Sequence, residues 1–257
     1  MKLISHVFAW LLIAPVAGAA VPNEYAGMNL AEGNAIQIQG CSLQPRKSMS
    51  DHVELINDYI EWSKENDVEV LVMRGTPVMG GPNPDSGPDF QWFEMLISPY
   101  SVIGAGWDKW LSTEEGQELN ERWQETSDCR VSVNPGFSLH LNAEAMAADT
   151  RIMTFNWCTR REGVTWDQLN AQHSAMAANL TNESPMKSWG LMFPELGSRN
   201  PLGEFAHIAS YANMSGLMAS QNVLVNEEGW RRREDYFTLY ASCTGPNVYH
   251  VEVLNRP

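Results

Sequence analysis

Among the residues able to do chemistry, His207, Asn156 and Tyr211 form the most promising set. An imidazole, an amide and a phenol together can move protons or orient a bound ligand. His207 equally reads as an interior residue satisfied by hydrogen bonds. Glu94 stands on an otherwise apolar segment. Buried there, it would suit a general base; at a solvated rim it would be an ordinary carboxylate. His250 and Glu252 alternate on one segment and share a face. Two ligands fall short of a zinc site, which needs three or four. The sequence holds no HExxH, CxxC, GxSxG or phosphate-binding glycine loop. No metal and no cofactor are therefore expected.

Four cysteines remain: Cys41, Cys129, Cys158 and Cys243. The N-terminus suggests how they are used. Lys2 precedes an apolar run, Val7 to Val16, and Ala17-Gly18-Ala19 offers small residues for cleavage. That is the layout of a signal peptide over residues 1–19, and the run is too short to span a bilayer. Export to the periplasm or the exterior follows, and an even cysteine count there points to disulfides rather than nucleophiles. Spacing alone allows three pairings.

An internal repeat positions these groups. Residues 34–134 can be laid over 150–255. Each copy opens with a β-like run ending in Cys, at Ala35 to Cys41 and Arg151 to Cys158. Each continues into a helix behind a capping-box pattern, Ser48 to Asp51 and Thr165 to Gln168. His173 lies on the apolar stripe of the second of these helices and reads as a core histidine. Second strands are expected at Val68 to Val72 and Ser188 to Phe193, and third strands at Phe90 to Ile97 and Glu204 to Tyr211. The Pro/Gly-rich segment Met79 to Pro88 reads as a loop. A second helix in each copy carries Glu-Glu-Gly, at 114–116 and 227–229. Fourth strands begin near Cys129 and Cys243, and Pro135 to Ala148 joins the copies. The order is βαββαβ, the split βαβ unit, in which strand one lies beside strand four. The expected bridges are therefore Cys41–Cys129 and Cys158–Cys243.

Alternation on the strands suggests a lining. Ile36 and Ile38 alternate with Gln37 and Gln39, and Met153 and Phe155 with Thr154 and Asn156. The apolar set is expected under the helices and the polar set between two sheets. Trp92 shares a face with Glu94, and His207 with Tyr211. Aligning Phe90 with Phe205 sets Trp92 opposite His207. The candidate ligand-binding residues are thus Gln37, Gln39, Trp92, Glu94, Thr154, Asn156, His207 and Tyr211.

Two such units in tandem resemble the dimeric α+β barrel superfamily, fused into one chain. The resemblance covers residues 34–255 as topology, with no motif of a particular family. It implies an α+β fold of two ferredoxin-like βαββαβ repeats forming a pseudo-dimeric barrel, and it admits cofactor-independent monooxygenases among its activities. Haem-degrading members use Asn, Trp and His, but the spacing here departs from theirs.

Composition narrows the partners. Acidic residues outnumber basic ones 31 to 17, a formal net charge of -14, which repels phosphate backbones and anionic lipid. Neither nucleic acid nor, after signal cleavage, membrane is an expected partner, and the oligomeric state stays open. Ten tryptophans would suit an apolar or aromatic small molecule. The expected function is binding of a small, partly apolar ligand between the two sheets. The alternatives are a cofactor-independent monooxygenase or isomerase, and a structural or interaction protein with a filled barrel.

Overall fold

A computed structural model describes residues 24–80 and 90–257. The segment expected to be a signal peptide and most of the Pro/Gly-rich loop lie outside the described residues. A short hairpin, β1 (Glu24–Tyr25) and β2 (Met28–Asn29), comes first. The first half follows: β3 (Asn34–Leu43), α1 (Met49–Glu65), β4 (Leu71–Met79), β5 (Trp92–Ser98), α2 (Tyr100–Ser112), α3 (Glu114–Thr126) and β6 (Ser127–Leu141). A single turn, α4 (Ala143–Met146), leads to the second half. This contains β7 (Thr150–Arg160), α5 (Trp166–Ala177), β8 (Met186–Met192), β9 (Phe205–Tyr211), α6 (Met214–Asn226), α7 (Gly229–Leu239), β10 (Ala241–Cys243) and β11 (Asn247–Asn255).

The helices start where local chemistry dictates. Ser48 and Thr165 form complete capping boxes with Asp51 and Gln168, so backbone N–H groups that would otherwise be orphaned find acceptors. Each Glu-Glu-Gly marks a junction between two helices rather than the body of one. A Cβ on Gly116 would lie 2.6 Å from the Trp110 carbonyl, and one on Gly229 would lie 2.7 Å from Leu224 Cα. The helix after β5 and that after β9 are thus each followed by another, which the sequence pattern had merged into one.

Eight strands close an antiparallel barrel in the order β7-β11-β4-β5-β3-β6-β8-β9, with β9 returning to β7 and β10 flanking β7. Within the first half the spatial order is β6-β3-β5-β4, and within the second β11-β7-β9-β8. Both read fourth, first, third, second along the chain. Two seams join the halves, β4 to β11 and β6 to β8. Cys41 stands directly opposite Cys129, and Cys158 opposite Cys243. Both pairs are bridged, with Cα atoms 4.1 and 4.0 Å apart. The expected pairing is the one found.

Two boundaries differ from expectation. The second strand of the first half runs Leu71–Met79, through Gly75 and Pro77. Pro77 is tolerated because β5 pairs with β4 only as far as Gly75, leaving one side free of a ladder. Pro135 to Leu141 is no linker: β6 runs on past β3 and pairs with β8. Gly136 permits this, since a Cβ there would lie 2.2 Å from Ile36 Cδ1.

The larger correction concerns the two faces of the sheet. Ile36, Phe93, Met95, Met153, Phe155, Ile208 and Tyr249 form one buried cluster inside the barrel, with Ile38 packed against it. Phe93 meets Phe155 from across the barrel, ring centroids 5.3 Å apart. An eight-stranded barrel is just wide enough for side chains to fill, and here apolar ones do. Gln37, Gln39, Thr154 and Asn156 point the other way, beneath the helices. The alternation was correct but its sense was inverted, because both faces of this sheet are covered and polarity alone does not say which cover is which.

Candidate functional site

The predicted lining residues fall into two separate groups. Gln37, Gln39, Trp92 and Glu94 lie under α1–α3, and Thr154, Asn156, His207 and Tyr211 lie under α5–α7. The ladder also corrects the alignment of the third strands. Glu94 pairs with Gln39, two residues before Cys41, and His207 pairs with Asn156, two residues before Cys158. Glu94 and His207 are therefore equivalent, and Trp92 corresponds to Phe205.

In the second half the space is occupied. Trp189 Nε1 donates to His207 Nδ1 at 3.0 Å, leaving Nε2 as the protonated nitrogen. That nitrogen donates to the Tyr236 hydroxyl at 3.1 Å, and the hydroxyl donates in turn to His173 Nε2 at 2.8 Å. The chain runs in one direction and uses neutral groups throughout. Burial pushes His173 down to about 4. Burial and then the His173 charge push His207 down to about 3. Burial also raises Tyr236, so the phenol keeps its proton. His173 is thus the core histidine expected. Asn156 donates to the Thr244 carbonyl at 2.6 Å. Tyr211 packs with Leu217 under α6. Cys158, Cys243 and His207 place ligand atoms within 4.8 Å of one another, but the two sulfurs are bonded to each other and both His207 nitrogens are engaged. Glu252 bonds Arg74 across the β4–β11 seam at 2.8 Å, a structural pairing.

The first half differs. A cavity of about 570 Å³ opens between its sheet and α1–α3. Aromatic walls come from Tyr59, Trp62, Trp107, Trp110 and Trp123. Polar groups come from Gln37 and Gln39 on β3, Asn120 and Gln124 on α3, and Ser127 and Asp128 at the start of β6. Trp107 Nε1 donates to Gln37 Oε1 at 2.9 Å, which fixes that amide. Burial, and secondarily the Glu94 charge, raise Tyr59, so it faces the cavity as a neutral phenol.

Behind this wall lies a polar cluster centred on Glu94. Gln39 Nε2 donates to Glu94 Oε2 at 2.7 Å. His52 Nε2 lies 2.5 Å from Glu94 Oε1, and the Ser127 hydroxyl lies 3.3 Å from His52 Nδ1. His52 and Glu94 are both 0% exposed. The His52 ring sits 4.6 Å from that of Trp92 and 5.5 Å from that of Trp123. Sequence reasoning missed His52 and Ser127. His52 falls at helical spacing with Leu55, Ile56 and Tyr59, so a polar residue within that stripe was the available signal.

No known family pattern and no curated protein sequence matches the chain. Solved structures do. One described as a candidate monooxygenase from Lactobacillus acidophilus NCFM superposes with a TM-score of 0.53 at 10% identity, over 86% of this chain and 93% of that one. Another candidate monooxygenase, from Fusobacterium nucleatum, gives 0.53 at 8% identity over 87% and 93%. A candidate chlorite dismutase gives 0.49 at 8% over 88% and 96%. At such identities the first two superpositions show the fold alone, an α+β barrel.

Proposed function

We propose that this chain is an exported, internally duplicated α+β barrel that binds a small, flat, partly apolar molecule in the cavity of its first half. The cavity carries the reading: five aromatic rings surround a space lined also by amides, a hydroxyl and a carboxylate. Such a site suits an aromatic ligand with one or two polar substituents. The filled barrel interior argues against a ligand between the sheets. Matching strand orders and matching disulfides support the duplication, with bridges spanning 88 and 85 residues. The disulfides fit export, and no helix among the described residues is long and apolar enough to cross a membrane.

An enzymatic reading stands beside simple binding because of one observation: Ser127 on the cavity wall touches the buried His52–Glu94 pair. The monooxygenase designation of two structural neighbours agrees with an enzyme, though their likeness carries only the fold. Titration with 2-naphthol, followed by tryptophan fluorescence, tests the binding site. Saturable quenching that Gln37→Leu weakens is the expected result. Absence of saturable quenching by 2-naphthol and by a panel of related bicyclic phenols and esters would remove the cavity from consideration.

A further inference from the structure

We propose that Ser127, His52 and Glu94 form a nucleophile–base–carboxylate relay that hydrolyses small aromatic or apolar esters in the first-half cavity. The proposal rests on the cavity reading above and adds a reaction to it.

The direction of the hydrogen bonds carries the inference. The Gln39 amide nitrogen can only donate, so Glu94 Oε2 is an acceptor. With His52 Nε2–H donating to Oε1, both carboxylate oxygens are satisfied. His52 then presents the bare lone pair of Nδ1 to the Ser127 hydroxyl at 3.3 Å. Among the described residues that nitrogen is the hydroxyl's one hydrogen-bond partner. Ser127 also lines the cavity, whereas His52 and Glu94 lie behind it. A nucleophile facing the substrate, a base touching it and a carboxylate orienting the base is the geometry that activates a serine.

Packing alone does not require this arrangement. Burying a carboxylate beside an imidazole costs desolvation energy that an apolar or neutral substitute avoids. The second half supplies that comparison in the same molecule. There, His207 stands at the position of Glu94, and a neutral Trp189–His207–Tyr236–His173 chain fills the space. The carboxylate and the serine-facing imidazole occur on the side whose space between sheet and helices is open. Asn120 and Gln124, one turn apart on α3, add amide groups to the lining of the same cavity.

The chemistry balances without an oxidant or metal. Ser127 Oγ bonds to the ester carbonyl carbon, and its proton passes to His52 Nδ1. The carbon–alkoxy bond breaks and the leaving oxygen takes that proton. Water then attacks the acyl–Ser127 ester, giving a proton to His52 and a hydroxyl to the carbon. Ser127 leaves with the proton returned, and the products are one acid and one alcohol.

The experiment uses the full chain after signal removal, with both disulfides intact. An aryl fluorophosphonate is added, the adduct is located by peptide mass spectrometry, and 2-naphthyl acetate hydrolysis is followed in parallel. One adduct per chain, on Ser127, is expected. Ser127→Ala should abolish labelling and lower hydrolysis roughly 100-fold or more, and His52→Gln should do the same. Glu94 is a positioning residue, so Glu94→Gln should slow labelling of Ser127 while leaving 2-naphthol quenching unchanged. Quenching also reports whether each variant has kept its cavity. An adduct elsewhere, no adduct, or undiminished hydrolysis by Ser127→Ala would overturn the proposal. If 2-naphthol binds yet no adduct forms on Ser127, the nucleophile is wrong and the cavity stands. If neither occurs, both readings fall.

Discussion

Acidification from pH 7 to pH 4 is expected to cost this protein stability, with His173 as a principal contributor. The ring is 1% exposed, and burial holds it down to about 4. In the unfolded chain it returns to about 6.5. Below pH 6.5 the unfolded state therefore binds a proton that the native state refuses, so stability falls as pH falls. The loss begins near pH 6.5 and levels off below pH 4, where the native ring also protonates. Its slope approaches ~1.4 kcal/mol per pH unit, and the total by pH 4 is about 3 kcal/mol. His207, held down to about 3, extends the window further. Part of its displacement comes from the His173 charge, so the two losses do not add. The assay is urea unfolding at pH 7, 6, 5 and 4, with the disulfides intact, for the natural chain and for His173→Gln. The variant should be weaker at pH 7 by roughly 1–3 kcal/mol, because the Tyr236 hydroxyl loses its acceptor. By pH 4 the gap between the two curves should shift by about 3 kcal/mol in the variant's favour. Carboxylate titration affects both chains equally and cancels. Parallel curves would show that His173 is not a neutral buried base, and the one-directional hydrogen-bond chain would fail with it.

Three other perturbations test the fold. Replacing Cys41 and Cys129 by serine opens a loop whose ends are 88 residues apart. Chain entropy predicts a loss of about 4–5 kcal/mol, to be read from the urea midpoint of the double variant. Phe93→Ala removes a ring that touches both Phe155 and Tyr249 inside the barrel. It should cost about 3–5 kcal/mol in the same assay, and a loss under about 1 kcal/mol would contradict the filled interior. Gly136→Ala would drive a methyl group into Ile36. A loss of about 1–3 kcal/mol is expected as overpacking, measured as a lower melting temperature by circular dichroism.

The order of elements was legible because each has a local cause. Capping boxes announced α1 and α5, and strand alternation announced β3 and β7. The cysteines and the βαββαβ order then specified one disulfide pairing. What the sequence could not reveal is which cover each sheet face receives. Gln37 and Gln39 look like the wall of a wet lumen until Trp107 is seen to bond Gln37 from a helix. That the second helix of each half is in fact two helices stayed hidden, because the Glu-Glu-Gly at each tight junction reads as part of one helix. The site was half legible. Glu94 was marked by its charge on an apolar strand, whereas its partners His52 and Ser127 lie 42 and 33 positions away in the chain and meet it only in three dimensions. The repeat alignment erred by two residues because Phe90 and Phe205 are alike in type but not in register.

The two seams of the barrel have a consequence for assembly. Arg74 and Glu252 meet across the β4–β11 seam although 178 residues separate them, so that pairing waits for nearly the whole chain. Each disulfide lies inside one half, and neither crosses a seam. The first half of one chain can therefore meet the second half of a neighbour and make every seam contact found here. Enthalpy does not distinguish the closed monomer from such an exchanged pair. The tether of residues 142–149 does, by holding the proper partner at an effective concentration that short linkers raise to about millimolar. Oxidation locks the halves, and the length of one connection decides whose halves they are.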